Sequence, residues 1–197
     1  WPCRWQMWPA PPPARGAGKG EYYLLLARED YYTGGGEPQG EWLCEGAKEL
    51  GLCGKVEKAE LRNIMRGFDA SGKKALVQNA GEEDRRCFWD LTFSAPKSVS
   101  VAWSQASPQD ARAIQEAQWK AAKAGLRLIE QHAAVTRRGK GGAKREKVKL
   151  IAAAFEHGTS RAQDPQLHTH CLVQNLAVRE DGTTGTIESQ AIYKFQM

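Results

Sequence analysis

Three of the four histidines fall within fourteen residues: His157, His168 and His170. His168 and His170 are two apart in HTHCLVQNLAV (168–178), which reads as a β-strand. Strand side chains alternate between faces, so both rings point the same way. His157 ends VKLIAAAFEH (148–157), a second predicted strand, and ten residues separate the two segments. Antiparallel pairing across that connection brings three imidazoles to one point. Imidazole is a common ligand of divalent metal ions, and three protein ligands leave positions open for a substrate. A polar strand face with incidental histidines is the plainer alternative. It is the better account of a lone histidine, and the metal is the better account of three. His132 ends a predicted helix, where a cation suits the dipole, and takes no role.

Tyrosines form the second cluster. Tyr22-Tyr23 and Tyr31-Tyr32 are four of the five in the chain. Aromatic packing at the ends of a short helix accounts for some of them. The chemical alternative is nucleophilic attack by a phenol. With a pKa of about 10 the neutral phenol is inert. A polarised phosphate and a nearby carboxylate make its attack feasible. The resulting phosphotyrosine ester conserves the energy of the phosphodiester bond, so rejoining needs no ATP.

These residues need elements to hold them. EYYLLLAREDYY (21–32) reads as a short helix, GGGEPQG (34–40) as a loop, and 46–51 and 58–66 as two helices stopped by Gly51 and Gly67. Residues 90–93 and 98–103 read as strands flanking an SAPK turn. Ser107-Pro108-Gln109-Asp110 opens a helix. Its expected apolar stripe is Ala113, Ala117, Ala121 and Leu128 with Ile114, Leu126 and Ile129, ending near His132. Residues 137–147, with Gly139, Gly141 and Gly142, read as a flexible loop. There is no internal repeat. The long helix argues against a cupin-like barrel, another architecture that uses His-x-His spacing.

Charge and composition set the limits. The 197 residues carry 28 Lys and Arg against 23 Asp and Glu, a net +5. Hydrophobic residues make up 41%, enough for a core, so global disorder is excluded. No apolar run approaches the roughly 18 residues that span a bilayer. The basicity is local. Arg137, Arg138, Lys140, Lys144, Arg145, Lys147 and Lys149 face only Glu146 within 134–150, and Arg4, Arg15 and Lys19 face no acid within 1–20. The remainder is mildly acidic. Arg137, Arg138 and Lys140 are a source of charge for a polyanion, and a solvated loop is an equal alternative.

The first twenty residues differ in kind from the rest. Trp1, Trp5 and Trp8 mix with Pro2, Pro9, Pro11, Pro12 and Pro13. Such a segment is expected to form neither helix nor strand, and it lacks the apolar core of a signal peptide. A disordered tail is favoured over a Trp/Pro recognition tail. Five cysteines without a CxxC pair argue against a disulfide scaffold, which makes a reducing cytoplasm the expected compartment. Cys44 and Cys53 match no zinc spacing and are expected to be small core or surface residues.

DLTFSAPKSVS (90–100), HGTSRAQDPQLHTH (157–170) and the two tyrosine pairs together resemble the MobF (TrwC/TraI-like) conjugative relaxases, bacterial HUH endonucleases. The likeness runs over roughly residues 21–195. It implies an α+β two-layer sandwich, with a central antiparallel sheet carrying the His-x-His strand and helices on its faces. It implies a divalent metal, Mg²⁺ or Mn²⁺, held by His157, His168 and His170. Tyr22 becomes the nucleophile that cuts the transfer strand, and Tyr31 serves a second strand transfer. Asp90 orients a metal histidine and helps take the phenol proton. Arg161, and more weakly Lys97, contact DNA phosphate. Cys44 stands where glycine is usual in the segment beginning at Trp42.

The implied function is metal-dependent nicking and rejoining of single-stranded transfer-origin DNA. Relaxosome accessory proteins and a coupling protein are the implied partners. A relaxase domain is expected over 21–197, incomplete at its C-terminal end, since relaxase domains of that family continue into segments that clamp the DNA. The alternatives are a single-stranded-DNA-binding fragment without catalysis and a rolling-circle replication initiator of the same class.

Overall fold

The computed structural model describes residues 40–160 and 162–196, and the backbone of 4–9. Strand β1 (Arg4–Pro9) is followed by β2 (Glu41–Leu43), α1 (Glu45–Glu49), α2 (Lys58–Met65), β3 (Phe88–Ser94), α3 (Lys97–Gln105) and α4 (Pro108–Ala133). Then come β4 (Val135–Arg138), β5 (Lys144–Thr159), β6 (Pro165–Arg179), β7 (Thr184–Gly185) and α5 (Ser189–Gln196). The strands form one sheet in the order β1-β3-β6-β5-β2, with β4 on β5 and β7 on β6. Every pairing is antiparallel.

Residues 150–154 of β5 are all buried, as are Leu172, Val173, Leu176, Ala177 and Val178 of β6. A strand can bury consecutive residues only when both faces of its sheet are covered. One face packs Trp89, Leu91, Phe93, Leu150, Ala152, Ala154 and Val173 against Ala122, Leu126 and Ile129 of α4 and Ile192 of α5. The other packs Phe88, Ile151, Ala153, Leu172 and Leu176 against Leu61, Ile64 and Met65 of α2 and Ala47 of α1. The expected α+β architecture, a central antiparallel sheet with helices on its faces, is the one observed.

Two helix stops behave as expected: Gly51 and Gly67 have φ of 74° and 88°. The start of α4 does as well, with Ser107 Oγ accepting the Asp110 N–H at 3.2 Å. The buried stripe of α4 is shifted. It is Gln118, Ala122, Leu126, Ile129 and Ala133, whereas Ala113, Ala117 and Leu128 face solvent. Alanine is too weakly apolar to fix which face turns inward. The sheet chooses, admitting α4 closely where Gly125 meets the Phe93 ring.

Three other expectations give way. Residues 98–103 are not a strand but lie in α3. Their β-branched content is modest, and the Pro96 before them fits a helix N-terminus. The 137–147 segment is a β-hairpin, with a turn confined to 139–143. Several of its basic side chains are held in ion pairs. Arg137 and Arg145 reach Glu188 at 2.8 and 2.6 Å, and Arg138 reaches Asp181 at 2.7 Å. Finally, residues 4–9 of the proline-rich start do form a strand, paired with β3 from Arg4↔Ser94 to Pro9↔Trp89. The proline falls at its last residue, on an outer strand of the sheet, where a missing N–H is tolerated. The helix expected over 21–32 lies outside the described residues.

Candidate metal centre

The β5–β6 hairpin is longer than its sequence suggests. β5 continues to Thr159 and β6 begins at Pro165, leaving five residues between them. In register, His157 stands opposite His168, and Phe155 opposite His170. The three rings form a triangle, with centroids 5.3 Å (157–168), 5.2 Å (157–170) and 4.9 Å (168–170) apart. His157 and His168 are 2% and 7% exposed.

Two of the imidazoles are backed by acceptors. His168 Nδ1 donates to the Gln166 carbonyl at 2.7 Å. His170 Nδ1 donates to Asp90 Oδ2 at 2.8 Å, with Thr92 Oγ1 at 3.3 Å from the same nitrogen. A carbonyl and a carboxylate only accept, so Nδ1 carries the proton in both rings and Nε2 the lone pair. This is the usual tautomer of a supported metal ligand.

Imidazoles sharing one ion at about 2.1 Å place their ring centres roughly 5 Å apart. The observed triangle matches that spacing. Among the described residues no group of three or more His, Cys, Asp or Glu side chains already stands in metal-holding geometry. The ring spacing and the all-imidazole donor set nevertheless suit a divalent ion. These residues fit a metal.

Asp90, which the family resemblance singled out, is 5% exposed and stands behind His170. Thr92 was missed. It is two residues further along β3, hence on the same face, and its hydroxyl also lies 3.4 Å from Asp90 Oδ1. Period-two alternation from Asp90 was the signal that could have found it. Lys97 is the first residue of α3, and its Nζ donates to the Pro165 carbonyl at 2.9 Å. Arg137, Arg138 and Lys140 are not brought to the imidazoles. Their hairpin meets β5 near Lys147, ten residues and about 30 Å along the strand from His157. Tyr22, Tyr31 and Arg161 lie outside the described residues.

The antiparallel sheet, covered on both faces and carrying His-x-His beside a third histidine, defines an HUH-type nuclease fold. A family model described as TrwC relaxase matches residues 17–197, and the chain belongs to that family. It is 35% identical over 176 residues to the multifunctional conjugation protein TraI of Escherichia coli, covering 89% of this chain and 10% of TraI. The TraI of strain K12 gives 35% over 182 residues, covering 91% and 10%. Among solved structures, the conjugative relaxase TrwC in complex with oriT DNA, in a metal-bound form, superposes with a TM-score of 0.76 at 30% identity. That match covers 98% of this chain and 64% of TrwC. A copper-bound TrwC–oriT complex gives 0.71 at 29%, covering 98% and 64%. The chain thus spans about a tenth of the curated relatives and just under two thirds of the solved TrwC chains. No helix among the described residues is long and apolar enough to cross a membrane.

Proposed function

We propose that this chain is the nicking domain of a conjugative relaxase, which cuts and rejoins single-stranded transfer-origin DNA by tyrosine transesterification. The observation that carries this is the imidazole triangle with Asp90 behind His170. His157, His168 and His170 hold a divalent ion through Nε2 of at least the two backed rings. Bound there, Mg²⁺ or Mn²⁺ supplies polarisation of a phosphodiester and neutralisation of its charge.

The chain's own residues do the rest. Tyr22 attacks phosphorus through its phenol oxygen as the bond from phosphorus to the 3′ oxygen breaks. The phenol proton passes to a carboxylate, with Asp90 the assigned acceptor, and the 3′ oxygen leaves as a hydroxyl after taking up a proton. The product is a 5′-phosphotyrosine adduct, and Tyr31 serves the second transfer. Arg161 and Lys97 contact phosphates near the scissile bond. Arg137, Arg138 and Lys140, at the far end of β5, meet DNA at a distance from it. Relaxosome accessory proteins and a coupling protein are the partners such an enzyme works with.

Incubation with Mn²⁺ and a labelled oligonucleotide of the cognate origin tests the proposal. An SDS-stable adduct is expected, and Tyr22→Phe is expected to abolish it. Binding of Mn²⁺ and single strands with no adduct indicates a binding fragment instead.

A further inference from the structure

The strand that carries His168 runs past the end of its neighbour. β3 stops at Ser94, opposite His168, so Leu167 has no β3 residue facing it. Leu167 is fully buried, and a buried N–H must find an acceptor. It finds Ser100 of α3. The Leu167 N–H donates to Ser100 Oγ at 3.0 Å, and Ser100 is itself fully buried. Two further contacts hold the same stretch. The Ala95 N–H donates to the Leu167 carbonyl at 2.9 Å, and Lys97 Nζ donates to the Pro165 carbonyl at 2.9 Å.

The Leu167 N–H and the Gln166 carbonyl belong to one peptide unit, which is planar. Its N–H end is fixed by Ser100, and its carbonyl end accepts His168 Nδ1–H at 2.7 Å. Rotation of that plane moves the acceptor that sets the His168 ring. The same helix also touches the other strand. A Cβ on Gly158, next to His157, would stand 2.4 Å from Cη2 of Trp103.

The geometry points to Ser100 as a positioning residue for the metal centre, acting on His168 through the Gln166–Leu167 peptide. In this role the second half of DLTFSAPKSVS is a brace for the His-x-His strand. The inference rests on the metal assignment made above, and the experiment keeps the two apart.

Ser100→Ala is compared with Ser104→Ala, an exposed serine of the same helix, in ¹⁵N-labelled full chain. Wild type is expected to show His168 as the Nδ1–H tautomer by imidazole NMR. Ser100→Ala is expected to shift or broaden that signal and to weaken Mn²⁺ binding, measured by calorimetry, roughly 10-fold. Ser104→Ala is expected to change neither. In a His168→Ala background, Ser100→Ala is expected to add no further loss of Mn²⁺ affinity. Ser100→Cys keeps the shape with a weaker acceptor, and it is expected to give an intermediate effect if the alanine variant does not fold.

A folded Ser100→Ala with an unchanged His168 signal overturns the inference. So does an equal affinity loss with and without His168. A wild type that binds no Mn²⁺ sinks the metal assignment instead, and the His168 signal still decides the role of Ser100.

Discussion

Asp90 Oδ2 lies 2.8 Å from His170 Nδ1, although the two residues are eighty positions apart and not directly opposite in the sheet. Thr92 is the residue opposite His170, and Asp90 reaches it along the diagonal. The carboxylate sets the ring's tautomer and fixes its orientation. Asp90→Asn is expected to weaken Mn²⁺ binding by about 10- to 100-fold with the melting temperature little changed. Calorimetric titration measures this; an unaltered affinity would show that His170 needs no such support.

Cys44 has φ 79° and ψ 160°, a conformation that is nearly exclusive to glycine. It precedes α1 at the position where the family resemblance places glycine. Strain of this kind costs about 1–3 kcal/mol. Cys44→Gly and Cys44→Ala both remove the thiol, but only the first relieves the backbone. The glycine variant is expected to be more stable than the alanine variant by about 1 kcal/mol, a difference of about 2–4 °C in Tm. Thermal melts of the pair decide it, and an alanine variant that melts at the same temperature or higher refutes it.

The thiol of Cys44 is expected to be quiet as well. Burial, and next the Glu130 carboxylate, push its pKa well above the usual thiol range. At neutral pH it stays protonated and a poor nucleophile. Exposed Cys53 is expected to be alkylated well before Cys44. Mass spectrometry after a timed iodoacetamide pulse reads the order directly.

Gly46 lies where α1 crosses β5 most closely. A Cβ there would stand 2.5 Å from the carbonyl oxygens of both Lys149 and Leu150. Backbone cannot move aside as a side-chain tip can. Gly46→Ala is expected to destabilise the fold by about 1–3 kcal/mol, despite alanine's better helix propensity. Urea denaturation tests it, and an unchanged midpoint would mean that α1 slides freely on the sheet.

Glu188 gathers Arg137 and Arg145, which hold its carboxyl down to about 2. A carboxyl lowered on folding contributes stability above its unfolded pKa, and that stability is lost as pH falls through the folded value. The tie between the β4–β5 hairpin and the segment before α5 is therefore expected to be complete above about pH 4.5. It should loosen only toward pH 2. Amide exchange across residues 135–147 tracks it. Loosening already near pH 5 contradicts the assignment, and Glu188→Gln should remove the acid-dependent step.

Periodicity and spacing made much of the site legible. Asp90 was legible only through the family resemblance, whereas HTH on one strand and His157 at the end of its neighbour are local patterns. Strand alternation turns them into a shared face before any packing is known. Alternation from Asp90 carried the signal for Thr92 as well, but that residue was missed. The helix stops at Gly51 and Gly67 and the cap at Ser107 were legible for the same reason, since each depends on a few consecutive residues.

What packing decided is of another kind. The segment 98–103 reads as a strand beside the SAPK turn, yet it is helical and lays Ser100 against a peptide sixty-seven residues away. Only the place where β3 ends makes that peptide need a partner. Residues 4–9 pair because β3 offers a strand edge, which their own proline-rich composition does not announce. The basic run 137–147 reads as loose charge until Glu188 and Asp181 fold back onto it. By itself the sequence determined that three imidazoles meet on one face of two neighbouring strands, because that follows from side-chain type and a two-residue repeat. Only the tertiary structure decided the supports behind them, because hydrogen-bond partners and ion pairs distant in the chain depend on where each strand stops and which surface then covers it.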